Sequence, residues 1–314
     1  MLANLKLRHL RLIVALDDER QVQRAAIALN LTQSAASKML AEIEAITRVP
    51  LFERTARGVT PTVYGAIFSR GARSVLANLD QTVGELASYV SGSRGLVRVG
   101  TVAAPCLDFI NDLIDYLGAR LGAIKMTIDV STSPTLIGRL LANELDFAIA
   151  RIPLGVDPGQ FSLYEMDDEE ACLVVRSGHP LVSRTVVELE ELLDQQWICQ
   201  PPDSFLRQSV DALFTSRGIT PPARFIETES LFAALTIAAR TDVIAPLPAL
   251  SLTVIDRDRF RRLPIRYSLR LPTYSLVTHK SRPLSPTANA VIDAIRRCHE
   301  MRDVKDMTPA PTAA

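Results

Sequence analysis

The sequence lacks an excess of charge of either sign. Its 314 residues carry 35 Lys+Arg and 35 Asp+Glu, so no net field attracts the whole chain to nucleic acid or to a membrane. The balance is uneven, because residues 1–98 hold 13 basic side chains against 8 acidic ones, a net charge of +5 that leaves −5 for the remainder. The length and the 47% hydrophobic content indicate a globular protein of two or three domains, neither disordered nor fibrous.

Cysteines are few and far apart. The four of them, Cys106, Cys172, Cys199 and Cys298, form no CxxC pair and no cluster with histidine at zinc-ligand spacing. We therefore expect no structural zinc, no haem-attachment site and no cofactor. Thiols that serve as small apolar side chains in a reducing, cytoplasmic compartment fit this pattern better than disulfides.

Long apolar runs are absent as well. The longest uncharged stretch runs from residue 243 to 255 and contains two prolines, which makes it too short and too broken to span a bilayer. The first residues contain scattered basic side chains and no small-residue cleavage site, so we expect no signal peptide. Secretion and membrane insertion are not expected.

Three short helical patterns begin the chain. Apolar stripes predict helices over residues 5–16 and 22–29, and the second helix ends at Asn30, which tolerates the left-handed backbone of a tight turn. Thr32 is a favourable N-cap for a third helix, from Gln33 to about Thr47. Residues at helical spacing on this helix are expected to face inward, namely Ala36, Leu40 and Ile43.

The opposite side of the third helix is polar and small. Two helices joined by a short turn, the second with a polar N-terminal face, are typical of a helix-turn-helix. Glutamine and serine there can reach base edges and phosphates in a major groove, although solvated positions on a plain helical bundle would look the same. The predicted DNA-contacting residues of this face are Thr32, Gln33, Ser34, Ser37 and Lys38.

A small hairpin follows the third helix. Residues 51–54 and 59–61 predict short strands, and the turn between them ends at Gly58. Arg54 and Arg57 then lie at its tip. A basic hairpin beside a recognition helix is a wing, and its arginines lie over sugar-phosphate or in the minor groove.

Together these stretches resemble the LysR-type transcriptional regulators. The matching residues are Ala25, Ala26, Leu29, residues 32–37, Ile43, Glu44, residues 49–54, Arg57, Gly58, Thr62 and Gly65. Their spacing is intact, which makes the run more specific than a single motif. Two departures are local: Arg48 occupies a position where the family usually has Gly, and residues 61–65 replace the commoner Leu-Thr-x-x-Gly. Arg48 leaves the geometry of the helix end open.

A long helix is predicted from Thr62 to about Val90. Its apolar residues are spaced 4, 3, 4, 4, 3 and 4 apart, close to a coiled-coil repeat, and they are Phe68, Ala72, Val75, Leu79, Val83, Leu86 and Val90. A second copy of the helix is the natural partner for this stripe, and the alternative is packing on the protein's own body. A homodimer pairs two recognition helices for an inverted repeat. Residues 91–95 predict a hinge.

Alternating strand and helix patterns fill the remainder and predict a mixed α/β region with parallel strands. The strands are expected at residues 96–101, 125–130, 146–150, 172–175, 224–228, 243–245 and 274–278, and the helices at 105–120, 134–143, 206–217, 231–239 and 287–302. The resemblance implies an arrangement similar to periplasmic binding proteins, in which two α/β lobes joined by two crossovers enclose a ligand cleft. Its landmarks lie at residues 100–101, 143–149, 179–181 and 243–248.

The predicted domain boundaries follow from these patterns. Residues 1–61 form a winged helix-turn-helix, 62–93 a linker helix with its hinge, 94–303 an effector-binding domain, and 304–314 a disordered tail. Within the effector domain, lobe 1 covers about 94–163 and 271–303, and lobe 2 about 164–270.

Hydroxyl side chains recur where strands give way to helices, where free N–H groups suit a carboxylate or a polyhydroxylated ligand. Capping alone would also explain them. The resemblance implies that four of them line the inducer pocket: Thr101, Ser133, Ser204 and Thr228. Arg207 is either a partner for an anionic ligand or a solvated helix residue. We interpret His179-Pro180 as a structural turn and the acidic residues 167–170 as an exposed edge rather than a metal site.

The function predicted is a DNA-binding transcription regulator controlled by a small-molecule inducer, a carboxylate or a sugar, and acting as a homodimer that assembles into a homotetramer. The alternative is an α/β enzyme with a helical N-terminal extension. No GxSxG, Walker loop, GxGxxG after a strand or HExxH is present, so we predict no catalytic residues. A transport solute-binding protein fits the cleft but not the winged N-terminus.

Overall fold

A computed structural model describes residues 5–55, 58–90, 95–108, 110–120 and 124–306. The chain divides into two units, Met1–Gly92 with Leu141–Glu144 and Ser93–Leu140 with Leu145–Ala314. We call them the N-terminal unit and the C-terminal unit and describe each by itself. Within the described ranges, no helix combines the length and the apolar character that a bilayer crossing requires.

The N-terminal unit is a winged helix-turn-helix followed by a long helix. Its elements are α1 (Leu7–Glu19), α2 (Val22–Ala28), α3 (Gln33–Thr47), β1 (Phe52–Thr55), β2 (Gly58–Pro61) and α4 (Val63–Val90). The inward faces predicted for the first three helices are confirmed. The core of this unit contains Leu12, Ile13 and Leu16 of α1, Ala25 and Ala26 of α2, and Ala36 and Ile43 of α3, and Leu40 is half-buried against it. The third helix has its predicted bounds.

Among the described residues of this unit, four that are not glycine adopt a left-handed backbone, namely Arg20, Asn30, Arg48 and Asn143. Asn30 closes the turn after α2 at φ 56°, as predicted. Arg48 ends α3 at φ 61°, and its N–H donates to the Glu44 carbonyl at 2.8 Å. An arginine therefore adopts the left-handed cap that glycine usually supplies. The Glu44 carboxylate accepts from the backbone N–H groups of Leu51 and Phe52 at 2.7 and 3.2 Å, which ties α3 to the hairpin.

The C-terminal unit begins and ends in a five-stranded sheet of order β4-β3-β5-β13-β6. Its strands are β3 (Leu96–Thr101), β4 (Lys125–Val130), β5 (Phe147–Ala150), β6 (Phe161–Glu165) and β13 (Ser275–His279). Its helices are α5 (Ala103–Asp108), α6 (Ile110–Arg120), α7 (Ser133–Leu141) and α10 (Pro286–Asp306). β3 is parallel to β4 and β5, as predicted, whereas β13 is antiparallel to β5 and β6.

A second sheet lies between those two chain segments, with order β11-β7-β10-β8-β9 and β12 beside β7. Its strands are β7 (Glu169–Arg176), β8 (Gln196–Cys199), β9 (Phe225–Glu227), β10 (Val243–Pro248), β11 (Phe260–Arg262) and β12 (Leu269–Leu271). Helices α8 (Phe205–Thr215) and α9 (Leu231–Ala238) belong to it. The chain thus passes between the sheets twice, after β6 and after β12, which is the two-lobed fold with two crossovers that the resemblance implied.

The sequence patterns missed β6, β8, β11 and β12. These strands have five, four, three and three residues, and such short segments show too little alternation to be distinguished from loops. Pairing with longer neighbours makes them strands, since β11 and β12 both pair with β7. Their hydrogen bonds are decided by tertiary contacts.

The acidic run at residues 167–170 is not the exposed edge that we expected. Glu169 is buried and accepts from the Arg151 guanidinium at 2.6 Å. Asp167 accepts from the Tyr274 hydroxyl at 3.1 Å and from Arg302 at 2.7 Å. The run lies at a crossover between the sheets, where Asp167 and Glu169 form half-buried and buried pairs, whereas Glu170 is exposed as expected.

Candidate functional site

The N-terminal end of α3 presents a polar, exposed face. The Thr32 hydroxyl accepts from the Ala35 N–H at 3.2 Å and lies 3.1 Å from the Ser34 hydroxyl, so it caps the helix as predicted. Thr32, Gln33, Ser34 and Lys38 are exposed and Ser37 is half-buried. The cap fixes where the helix begins, and the helix then directs glutamine, serine and lysine side chains to one side. This is the composition that a major-groove contact requires.

The wing is held against the first helix by backbone contacts. Arg54 pairs with Val59 across the hairpin, and the Val59 N–H donates to the Arg20 carbonyl at 2.8 Å. A Cβ added to Gly58 would approach the Arg20 carbonyl oxygen to 2.2 Å, so only glycine fits at this contact. Arg54 is exposed. Arg57, the other predicted wing arginine, lies outside the described residues.

Helix α4 is joined to the helix-turn-helix by charge. Its Arg73 guanidinium donates to the carboxylates of Asp17 and Asp18 near the end of α1, at 3.2 Å for each. Ala72 is buried, whereas four later members of the predicted stripe are exposed, namely Val75, Leu79, Val83 and Leu86. The side chain of Val90 and the hinge residues 91–94 lie outside the described residues. The exposed part of the stripe is an apolar helix face with the spacing of a coiled-coil seam.

A cavity of 410 Å³ lies in the C-terminal unit, next to the carboxyl ends of several strands. Open α/β sheets bind ligands at this edge, and the volume falls within the roughly 300–1,000 Å³ range of small-molecule sites. Its lining is Ala103, Val130, Ser131, Ile198, Cys199, Gln200, Leu206, Thr228, Glu229, Ser230, Leu231, Phe232, Ala234, Pro246, Leu247 and Pro248.

Glu229 is tied to both sides of this cavity. It follows β9, and its carboxylate accepts from the Ser131 hydroxyl at 2.5 Å and from the Thr135 hydroxyl at 3.2 and 3.3 Å. Ser131 follows β4 and Thr135 lies on α7, so these bonds join an element of the second sheet to elements of the first. We call Ser131, Thr135 and Glu229 the hydroxyl-carboxylate bridge.

A smaller cavity of 30 Å³ adjoins the large one and shares Ser131 and Gln200 with it. Arg151 and Glu169 are part of its lining. Besides Glu169, the Arg151 guanidinium contacts the Pro272 carbonyl at 2.5 Å and lies 5.6 Å from the centre of the Tyr274 ring. The Nε and one Nη of Arg151 are therefore held by protein groups.

Cys199 is the thiol that lines the large cavity, and its environment makes it inert. Burial raises the pKa of this thiol to about 12, an effect that the Gln200 backbone and the Arg207 charge only partly oppose. A thiol with such a pKa is protonated at neutral pH and is a poor nucleophile. Cys199 therefore contributes volume and apolar contact to the cavity.

Comparison with known protein families decides what these two sites belong to. Two family models match the chain. The model of the bacterial regulatory helix-turn-helix protein, lysR family, matches residues 7–66, and the model of the LysR substrate binding domain matches residues 91–298. The chain belongs to the LysR family of transcriptional regulators. The resemblance inferred from the residues is confirmed, and with it a DNA-binding helix-turn-helix and a substrate-binding domain.

Curated relatives support the assignment over nearly the whole chain. The HTH-type transcriptional regulator GbpR of Azospirillum brasilense is 37% identical over 316 residues, which cover 99% of this chain and 92% of that protein. GbpR of Rhizobium radiobacter is 40% identical over 241 residues, which cover 76% of this chain and 80% of that protein.

Solved structures show the same fold. The LysR family regulator CbnR superposes with a TM-score of 0.65 at 20% identity, over 94% of this chain and 99% of that chain. CbnR in complex with its target DNA gives a TM-score of 0.63, also at 20% identity, over 94% of this chain and 100% of that chain.

The predicted inducer-pocket residues of this LysR-type regulator do not all meet at one cavity. Thr228 lines the large cavity and Ser133 lines the small one. Thr101, Ser204 and Arg207 are not among the described residues that line either. Thr101 donates to the Val102 carbonyl at 3.0 Å.

The remaining contacts of these side chains are local. Ser133 accepts from the Arg151 N–H at 3.1 Å, Thr228 accepts from the Ser230 N–H at 3.1 Å, and Ser204 accepts from the Arg207 N–H at 3.2 Å as the N-cap of α8. The Arg207 guanidinium bonds to Asp211 at 3.1 Å and lies 3.4 Å from the centre of the Phe225 ring. Capping and turn formation thus account for much of what these residues do.

The sequence analysis missed several cavity residues of this LysR-type regulator. Glu229 lies between the two hydroxyl residues Thr228 and Ser230, at the carboxyl end of a predicted strand, so the rule that selected Thr228 could have included it. Ser131 follows a predicted strand in the same way. Gln200 follows β8, which the sequence pattern did not show, so no local signal pointed to it.

Proposed function

We propose that this LysR-type regulator binds promoter DNA as a homodimer that assembles into a homotetramer, and that a small molecule in the cavity of the C-terminal unit controls it. It acts in the cytoplasm, where its operator lies, and it works by binding without turnover. A ligand changes DNA binding to the extent that it prefers one arrangement of lobes or subunits over another.

The exposed stripe on α4 carries the dimer proposal. Val75, Leu79, Val83 and Leu86 are 49%, 37%, 58% and 63% exposed in the single chain. Apolar side chains at heptad spacing bury their surface against a second helix. A two-fold dimer places two α3 helices for successive major grooves, and this geometry matches an inverted repeat.

The site residues proposed for DNA are Thr32, Gln33, Ser34, Ser37 and Lys38 on α3, with Arg54 and Arg57 on the wing. Those proposed for the effector by family resemblance are Thr101, Ser133, Ser204, Thr228 and Arg207. The domain limits are those given above: residues 1–61 for DNA binding, 62–93 for the linker, and 94–303 for the effector, with lobe 1 at about 94–163 and 271–303 and lobe 2 at about 164–270.

A binding experiment tests the DNA proposal. Full-length protein is titrated onto a fragment from upstream of its own gene and onto an unrelated fragment, at several salt concentrations. We expect specific binding that weakens steeply with salt, since phosphate contacts release counterions. Gln33 and Ser37 lie one turn apart on α3, so a Gln33→Ala/Ser37→Ala variant should lose about tenfold or more in specific affinity.

Gln208→Ala, which alters an exposed glutamine on α8, is the control and should bind as the parent does. Circular dichroism and sedimentation verify that fold and assembly are unchanged in both variants. If the double variant bound the operator as tightly as the parent, the assignment of α3 as the recognition helix would be wrong. A monomeric parent that ignores its own promoter would refute the proposed function as a whole.

A further inference from the structure

The large cavity of the C-terminal unit carries a carboxylate but no cation among its described lining residues. Glu229 supplies the charge, and the other polar groups are the hydroxyls of Ser131, Thr228 and Ser230 and the amide of Gln200. Hydroxyl and amide groups both donate and accept hydrogen bonds, whereas a carboxylate only accepts. The lining therefore offers acceptors and dual-character groups to a ligand, without a positive charge.

The neighbouring arginines do not change this balance. The Arg151 guanidinium in the adjoining small cavity is buried against the Glu169 carboxylate at 2.6 Å, so the two charges cancel. The Arg207 guanidinium lies over the Phe225 ring and faces two carboxylates, Asp211 at 3.1 Å and Glu227 at 3.7 Å. Its Nη1 is buried without a hydrogen bond, but the two carboxylates compensate its charge. A ligand carboxylate in the large cavity would meet Glu229 without a compensating charge, and such an approach is unfavourable.

Glu229 already binds the kind of group that we infer for the ligand. Its two oxygens accept from the hydroxyls of Ser131 and Thr135, at 2.5 to 3.3 Å. The carboxylate is itself exposed, so hydroxyl groups of a bound molecule can replace or add to those of the hydroxyl-carboxylate bridge. Hydrogen bonds from a hydroxyl to an ionised carboxylate are stronger than those between neutral groups.

The cavity also offers an apolar ring to stack on. Phe232, in the first turn of α9, lines the cavity and is 81% exposed. An exposed aromatic side chain next to a polar acceptor gives one flat apolar surface and one hydrogen-bonding edge. A sugar ring has the complementary pattern, with C–H groups on its faces and hydroxyls around its rim.

We propose that the effector of this cavity is an uncharged polyhydroxylated molecule of monosaccharide size, whose hydroxyls donate to Glu229 while its ring packs on Phe232. This inference rests on the proposed function, in which the cavity holds the effector. It selects the sugar and excludes the carboxylate from the two inducer classes that the sequence left open.

A matched ligand panel tests the proposal. Neutral aldopentoses and aldohexoses, together with the uronic acids of the same hexoses, are titrated into full-length protein and followed by thermal unfolding and calorimetry. We expect a neutral sugar to bind, with its uronic acid at least about tenfold weaker because of repulsion from Glu229. Failure of every neutral sugar to bind, or binding of the acid as tight as that of the sugar, overturns the proposal.

A charge-neutral variant shows whether Glu229 is the cause. Glu229→Gln keeps the shape of the side chain but removes the charge, so it should weaken the neutral sugar about tenfold and narrow the gap between the sugar and its acid. Glu165→Gln alters an exposed carboxylate on β6, outside the cavity lining, and should leave both affinities unchanged. If Glu229→Gln prefers the neutral sugar over its uronic acid as strongly as the parent does, Glu229 is not the cause of that preference.

The DNA titration separates this inference from the function beneath it. The same preparations are titrated onto the upstream fragment without sugar. If the protein binds the upstream DNA but does not bind neutral sugars, only the proposed ligand class is rejected and the proposed function stands. Absence of DNA binding by the parent protein rejects the proposed regulator, whatever the cavity binds.

Discussion

His9 is a fully buried imidazole in the core of the helix-turn-helix. Its Nδ1 accepts from the Lys6 N–H at 3.3 Å, and its Nε2 is buried without a hydrogen bond, 3.9 Å from a Glu42 oxygen. Burial lowers the pKa of His9 below its ordinary value of 6.5, with smaller contributions of the same sign from Arg8 and Lys6 and an opposing one from Glu42. The neutral ring is thus the form that the folded unit holds.

We predict that acid weakens the N-terminal unit through this residue. At pH values above 6.5 the His9 ring is neutral in both the folded and the unfolded state, so the unit keeps its full stability. As the pH falls below 6.5, the unfolded chain binds the proton more tightly than the folded unit does. The free energy of unfolding therefore decreases until the pH has passed the lower folded-state pKa. His9→Asn keeps an acceptor and does not titrate, so its unfolding free energy should depend less on pH; identical pH profiles would contradict the assignment.

At the scale of elements, α4 is the helix through which we propose that two copies meet. It is a helix of 28 residues, far longer than a winged domain needs, and its N-terminal part is fixed to α1 by the ion pairs of Arg73. In the proposed dimer, a change in how the exposed stripes of two α4 helices pair would therefore move both recognition helices together. In the proposed dimer, the half-site spacing of the operator is therefore expected to depend on α4.

We predict that a charged side chain in the exposed stripe on α4 dissociates the proposed dimer. Val83→Glu places a carboxylate among apolar side chains, so sedimentation should show monomer at concentrations where the parent is dimeric, and DNA binding should weaken by about tenfold or more. Gly84→Glu adds the same charge about 100° around the helix from Val83, outside the apolar stripe, where an added Cβ meets nothing within 4 Å. It should remain dimeric; equal dissociation by both variants would place the seam elsewhere.

At the scale of the whole molecule, the buried pair of Arg151 and Glu169 connects the two sheets of the C-terminal unit. Arg151 follows β5 of the first sheet and Glu169 begins β7 of the second. Both side chains are less than a tenth exposed, at 4% and 6%. Removing one charge leaves the other buried and unpaired. This destabilises the fold by more than the intact pair contributes to its stability.

We predict that Glu169→Gln destabilises the C-terminal unit by about 3 kcal/mol, measured by denaturant unfolding of the full-length protein. Glu170→Gln is the matched control, since Glu170 faces Arg270 at 3.7 Å with side chains 50% and 79% exposed. Its effect should stay within about 0.5 kcal/mol. A loss from Glu170→Gln as large as that from Glu169→Gln would show that the buried pair has no special role.

Sequence by itself determined the local features of this protein. Helix periodicity, the Thr32 cap and the Asn30 turn are set by neighbouring residues, so α3 could be predicted residue by residue. The apolar spacing of α4 and the alternating strands and helices after it depend on near neighbours in the same way. The family motifs added the two-lobed arrangement, which no periodicity could supply.

Tertiary structure alone decided which polar side chains meet. Glu229 is far along the chain from Ser131 and Thr135, and Glu169 finds Arg151 only because two sheets meet at a crossover. Arg48 adopts a left-handed cap because the contacts around it hold that turn, although its residue type disfavours it. Short strands such as β8 exist through their partners. Pair contacts across long sequence separations depend on how the elements pack, and local pattern carries no information on that packing.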